Sequence, residues 1–139
     1  VRFPRLIDVN AGSRYLRSRG KVLVFGRCLE IEDPRVLEGF DEYAKVSVCL
    51  EEEHVNMAGF KLAGVLIRGN YEEVAVLTVD GSLHCVQLHH MVEEVCKLLR
   101  DPPRRRHMVV QRGGIVEVSE ESVKVSRYLS RVDSLLKNR

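Results

Sequence analysis

Four short apolar runs, each separated from the next by a stretch of helical periodicity, constrain this chain more than any other feature. Lys21 to Phe25 (KVLVF), Lys45 to Leu50 (KVSVCL), Val74 to Val79 (VAVLTV) and His107 to Gln111 (HMVVQ) are rich in β-branched residues. They are too short for helices and read as strands. After the first run, Asp33 is a candidate N-cap with Pro34 at the first helical position, and Val36, Leu37, Phe40 and Tyr43 supply an apolar face. After the second, His54 to Gly69 reads as a helix with Met57, Phe60, Leu62, Val65 and Leu66 inward and Gly69 at its C-cap. After the third, Ser82 caps a helix carrying Leu88, Met91, Val92, Val95, Leu98 and Leu99, which Pro102-Pro103 ends. Gly113-Gly114 turns the chain toward Ile115 to Val118, a candidate fifth strand. The alternation predicts a single three-layer α/β domain over 1–139, with a mostly parallel sheet of four to five strands.

Two flanking segments complete the chain. Residues 1–20 read as an N-terminal helical arm, capped by Asp8 or Asn10, made basic by Arg14, Arg17 and Arg19 and ended by Gly20. Residues 119–137 read as one C-terminal helix, capped by Ser119, with Glu120 and Glu121 complementing the dipole of its first turn. Val125, Tyr128, Leu129, Val132, Leu135 and Leu136 share one side of that helix. Such a stripe serves either as core or as a homodimer seam.

Composition narrows the function classes. A formal net charge of +2 creates no global field that demands nucleic acid or an anionic membrane. The run Arg104-Arg105-Arg106, read as a Pro-flanked loop, fits a solvated basic loop better than a clamp on phosphate or RNA. No apolar run approaches the roughly 18 residues that span a bilayer, and the opening VRFPRLIDVN lacks a signal-peptide apolar core. The expectation is a cytoplasmic protein with no membrane partner. Cys28, Cys49, Cys85 and Cys96 include no CxxC pair, so they read as thiols or ligands and not as disulfides. The basic residues are mostly Arg and Trp is absent, a leaning compatible with a thermophilic source.

The topology gathers the unusual chemistry at one place. Ligands of open parallel sheets bind at the carboxyl ends of the strands. Cys28 lies just past the first strand, Cys49 near the end of the second and Cys85 just past the third. His54 and His84 flank helices on that same edge, while Cys96 reads as core and His107 falls at the opposite edge. Cys85 in a first helical turn would be favoured as thiolate, and His89, one turn on, is positioned to pair with it. A Cys85–His89 pair suits a nucleophile, a redox thiol or a metal ligand set. For zinc or an iron–sulfur cluster, the candidate ligands are Cys28, Cys85 and His84 or His89, with Cys49 or His54 as further members. For a phosphate, Gly26 and the turn Asp80-Gly81-Ser82 offer backbone N–H groups, though neither GxGxxG nor GxxxxGK[ST] occurs.

The order GKVLVFGRC (Gly20 to Cys28), then Thr78-Val79, then Cys85 six residues further on at a helix start, resembles a known arrangement. It is similar to the Rossmann-like domain that follows the cluster-binding segment in ferredoxin-type iron–sulfur proteins of anaerobes. Val86 stands where that family carries a second cysteine, Cys28 is displaced by about one position, and the ferredoxin cysteine motifs are absent. The resemblance implies a redox-associated accessory domain that is not a cluster carrier in its own right, and the leading expectation is a redox-linked or metal/iron–sulfur-associated accessory protein with a redox protein partner. The competing expectations are a non-catalytic module that binds protein or nucleic acid, and a hydrolase or transferase with Cys85 as nucleophile.

Overall fold

The computed structural model describes residues 2–138. Five strands, β1 (Lys21–Gly26), β2 (Ala44–Val48), β3 (Glu73–Val79), β4 (Arg104–Gln111) and β5 (Gly114–Val118), form one sheet in the order β2-β1-β3-β4-β5. The first four are parallel, and β5 returns antiparallel beside β4. Helices α3 (Val55–Arg68) and α4 (Leu83–Lys97) cover one face. Their Leu62, Val65, Leu88 and Val92 meet Val22, Val24, Val46, Val74 and Val76 of the sheet. The other face buries Leu23, Phe25, Leu77 and Met108 under a thinner layer made by α2 (Leu29–Glu32) and a 3₁₀ turn at Pro34–Leu37. The expected α/β architecture with a mostly parallel sheet is what the chain adopts.

The division of faces follows from the strand order. From β1 the chain steps outward to β2, then returns past β1 to β3 and continues to β4. Right-handed crossovers in opposite directions must lie on opposite faces. The β1–β2 connection therefore sits alone on one side, and α3 and α4 share the other. The sheet reverses its winding between β1 and β3, so a crevice opens there at the strands' carboxyl ends.

Several expectations are corrected. The helix expected after Asp33 shrinks to the 3₁₀ turn, and the Asp33 side chain makes no cap hydrogen bond. Its apolar residues Val36, Leu37, Phe40 and Tyr43 are nonetheless buried. The N-terminal helical arm reduces to one turn, α1 (Arg14–Arg17), capped by Ser13. Upstream of it, Pro4 to Leu6 run beside β2, with the Leu6 N–H donating to the Ser47 carbonyl at 2.9 Å, which covers that edge of the sheet. In α3 the buried positions are Ala58, Leu62, Val65 and Leu66, whereas Met57 and Phe60 face outward. Gly69 ends α3 without a left-handed turn, at φ −99°. A glycine is needed there for space, because an added Cβ would stand 2.1 Å from the Tyr71 ring.

The carboxyl-terminal third departs furthest. β4 starts at Arg104, so the three arginines belong to a strand and not to a loop. Arg104 pairs with Glu73 at 2.7 Å, Arg105 with Glu93 and Glu120, and Arg106 with Glu117. Each guanidinium already faces a carboxylate, which removes the basis for a basic clamp on RNA or phosphate. The β4–β5 hairpin turns on Arg112 (φ 53°) and Gly113 (φ 77°), the two positive angles of a tight hairpin, and Gly114 already belongs to β5. The single helix expected over 119–137 breaks into α5 (Glu120–Val125) and α6 (Leu129–Lys137). The Ser126 hydroxyl turns back to the Val123 carbonyl at 2.7 Å, and Tyr128 is extended. Val123 is the buried residue of α5, and α6 buries none, so the C-terminal stripe is not core.

Candidate functional site

A cleft of about 110 Å³ lies at the reversal point between β1 and β3. Gly26, Arg27 and Cys28 form one wall, Cys49 with its neighbours after β2 a second, and Ser82, His84 and Cys85 at the start of α4 a third. The three thiols that the sequence separates widely thus share one cavity, as the strand-end rule requires. Gly26 makes room for this. A Cβ there would stand 3.5 Å from the Cys85 sulfur, so β1 and the first turn of α4 approach closely. The Ser82 hydroxyl accepts the Cys85 N–H at 3.4 Å, which fixes that turn and the direction of the Cys85 side chain.

The thiols differ in access. Cys28 is exposed, Cys49 is half-buried and Cys85 is buried. Burial raises the Cys28 thiol above its ordinary value, and the neighbouring Cys85, Glu32 and Cys49 add to that shift. Cys96 lies in the core as expected, and burial pushes its thiol to about 11. Arg27 lines the cleft but its charge is spent elsewhere. Its guanidinium holds Glu53 at 2.6 Å and Glu52 at 2.8 Å and donates to the Ser47 hydroxyl. Glu53 also accepts the Cys49 N–H at 3.3 Å, so this ion pair braces the second wall.

The other expected members are distributed as follows. His84 is exposed and lines the cleft; His54 precedes α3, exposed and outside it. Ser82 and Gly26 line the cleft. Asp80 and Gly81 do not, and the Asp80 N–H is taken by the Val110 carbonyl at 3.1 Å. The small volume, the neutralised Arg27 and the nearby Glu32 and Glu51 suit a nucleotide or phosphate poorly. Among the described residues, no three His, Cys, Asp or Glu side chains are arranged to hold a metal ion. Cys28, Cys85 and His84 share a cavity without converging, so neither tetrahedral zinc nor an iron–sulfur cluster fits them as placed.

The largest correction concerns His89. It is not a partner for Cys85, because both of its ring nitrogens are occupied inside the core. Nε2 lies 2.7 Å from the Thr78 hydroxyl, and Nδ1 lies 2.9 Å from His107 Nδ1. His107 Nε2 in turn lies 2.7 Å from the Glu93 carboxylate, which also meets Arg105. One proton arrangement satisfies every contact. Thr78 donates to His89, His89 donates to His107, and His107 donates to Glu93, which leaves the His89 imidazole neutral. Burial, and then the proximity of His107 and His90, lower His89 to about 3, in keeping with a neutral ring. His107 is therefore not at the opposite edge; it sits in mid-strand, beside Val76 of β3. A sequence signal for this chain did exist. Cys85, His89 and Glu93 recur every four residues on the buried side of α4, and Arg105 and His107 alternate on β4.

Among the described residues, no helix is long and apolar enough to cross a membrane. A family model described as a Rossmann-like domain matches residues 14–138. No curated protein and no solved structure matches the chain.

Proposed function

The chain belongs to this Rossmann-like domain family, and on that premise we propose that it is a redox-linked accessory domain whose Cys28 and Cys85 pass from two thiols to one disulfide. One observation supports the reading. Two cysteines on different strand ends line a single cleft, one accessible and one buried, and Gly26 of the same cleft lies close against the Cys85 sulfur. The partner is a protein carrying a reducible disulfide. The Cys28 thiolate attacks one partner sulfur, forming a mixed disulfide and releasing the partner's other sulfur as a thiolate. The Cys85 thiolate then attacks the Cys28 sulfur, closing the Cys28–Cys85 bond and releasing the partner's second thiolate. Two electrons pass to the partner, and the two protons that leave Cys28 and Cys85 end on its thiols.

The raised Cys28 thiol sets the pH behaviour. Its reactive thiolate becomes populated only above the ordinary thiol range, so exchange accelerates as pH rises.

The test is to oxidise the reduced protein with oxidised glutathione, alkylate the remaining thiols and map the products by mass spectrometry. A Cys28–Cys85 linkage is expected, lost in C28S and C85S and kept in C96S. Four alkylated thiols after oxidation, or Cys28 joined only to Cys49, would overturn the assignment.

A further inference from the structure

Among the described residues, two apolar surfaces are left uncovered, and they match in kind. The first is a groove of about 520 Å³ between α3 and α4. Gly59, Ala63, Met91 and Val95 line it, and Phe60 (83% exposed) and Leu98 (78% exposed) stand at its rim. Gly59 brings the two helices together there, since an added Cβ would lie 3.5 Å from the Met91 side chain. The second surface is α6. Leu129 (80% exposed), Leu135 and Leu136 form a stripe with half-buried Val132, and nothing in α6 is fully buried. A nine-residue helix is too short to persist in water on its own propensity. Its stability must come from covering that stripe.

The joint between α5 and α6 argues against the chain's own groove as the cover. Arg127 pairs with Glu94 at 2.6 Å and Ser126 with His90 at 3.2 Å, and both partners sit on α4 at the groove margin. Immediately afterwards the extended Tyr128 carries α6 onward with its stripe in solvent. We propose that the chain forms a two-fold homodimer in which each copy lays its α6 in the α3–α4 groove of the other. A stable dimer needs about 800 Å² per partner, hence about 400 Å² each from helix and groove. Three leucines more than half exposed, together with Tyr128, supply apolar area of that order. The exchange is isologous and closed, so it produces a dimer and not a filament.

Sedimentation equilibrium under reducing conditions tests this without any contribution from the thiols. The wild-type chain is expected to be a dimer at micromolar concentration. L129D/L136D on the helix and F60D on the groove each should raise the dimer dissociation constant about tenfold or more. Both variants change exposed side chains, so their circular dichroism should match the wild type. Mixing the two variants should give a heterodimer, since one helix and one groove remain intact. A monomeric wild type would overturn the proposal, as would an F60D protein that dimerises normally, the result expected of an α6–α6 seam. Absence of a heterodimer in the mixture would overturn it too.

Discussion

Acidification from about pH 6.5 to pH 4.5 should cost the fold about 2–3 kcal/mol through one side chain, His89. In the unfolded chain an imidazole titrates near 6.5, whereas burial and the neighbouring His107 and His90 hold His89 at about 3. Between those values the unfolded chain binds a proton that the folded one refuses. Stability therefore falls with falling pH, by about 1.4 kcal/mol per unit, and the loss levels off below the folded value. The neutral state is held in place by the Thr78 hydroxyl on one nitrogen and His107 on the other, with Glu93 behind His107. Urea denaturation across this pH range measures the slope directly, and H89L supplies the control. That variant leaves the Thr78 hydroxyl and His107 Nδ1 without their His89 partner and starts about 1–3 kcal/mol less stable, but the readout is slope and not level. Glu73 is held below the usual carboxylate range by Tyr43 and Arg104, and Asp8 by Arg5; both titrate in either protein and cancel in the difference. The wild type should show about one more proton of dependence than H89L. Equal slopes would refute the neutral buried His89.

Other expectations are simpler to check by thermal or urea unfolding. G69A should destabilise by about 2 kcal/mol or more, because its Cβ meets the Tyr71 ring, which cannot retreat without opening the core. Among the described residues the buried Tyr71 hydroxyl has no hydrogen-bond partner, so Y71F should be neutral or stabilising by up to about 1 kcal/mol. R112G relieves a positive φ in the hairpin turn and should stabilise by about 1 kcal/mol. At Gly26, alanine places its Cβ in ordinary contact with Cys85 and should be tolerated. G26V should displace that thiol and slow Cys28–Cys85 coupling, which the alkylation assay would register.

The sequence by itself determined the strands, their parallel order of travel and the edge at which Cys28, Cys49 and Cys85 gather. These follow from local periodicity and from the handedness of crossovers, which act on any chain patterned this way. It also located the cleft, because Gly26 and Ser82 are readable as a strand end and a helix cap. Only tertiary structure decided the fate of His89. Helical spacing put it on one face with Cys85, but the register of β4 against β3, with His107 opposite Val76, supplied a stronger partner inside the core. Pairing decided the arginines too, since Arg104 joins β4 by facing Glu73, a contact between residues far apart in the chain. The stripe on α6 marks the same boundary. Amphipathic periodicity records that a face must be covered, while what covers it depends on the surfaces that the rest of the fold leaves open.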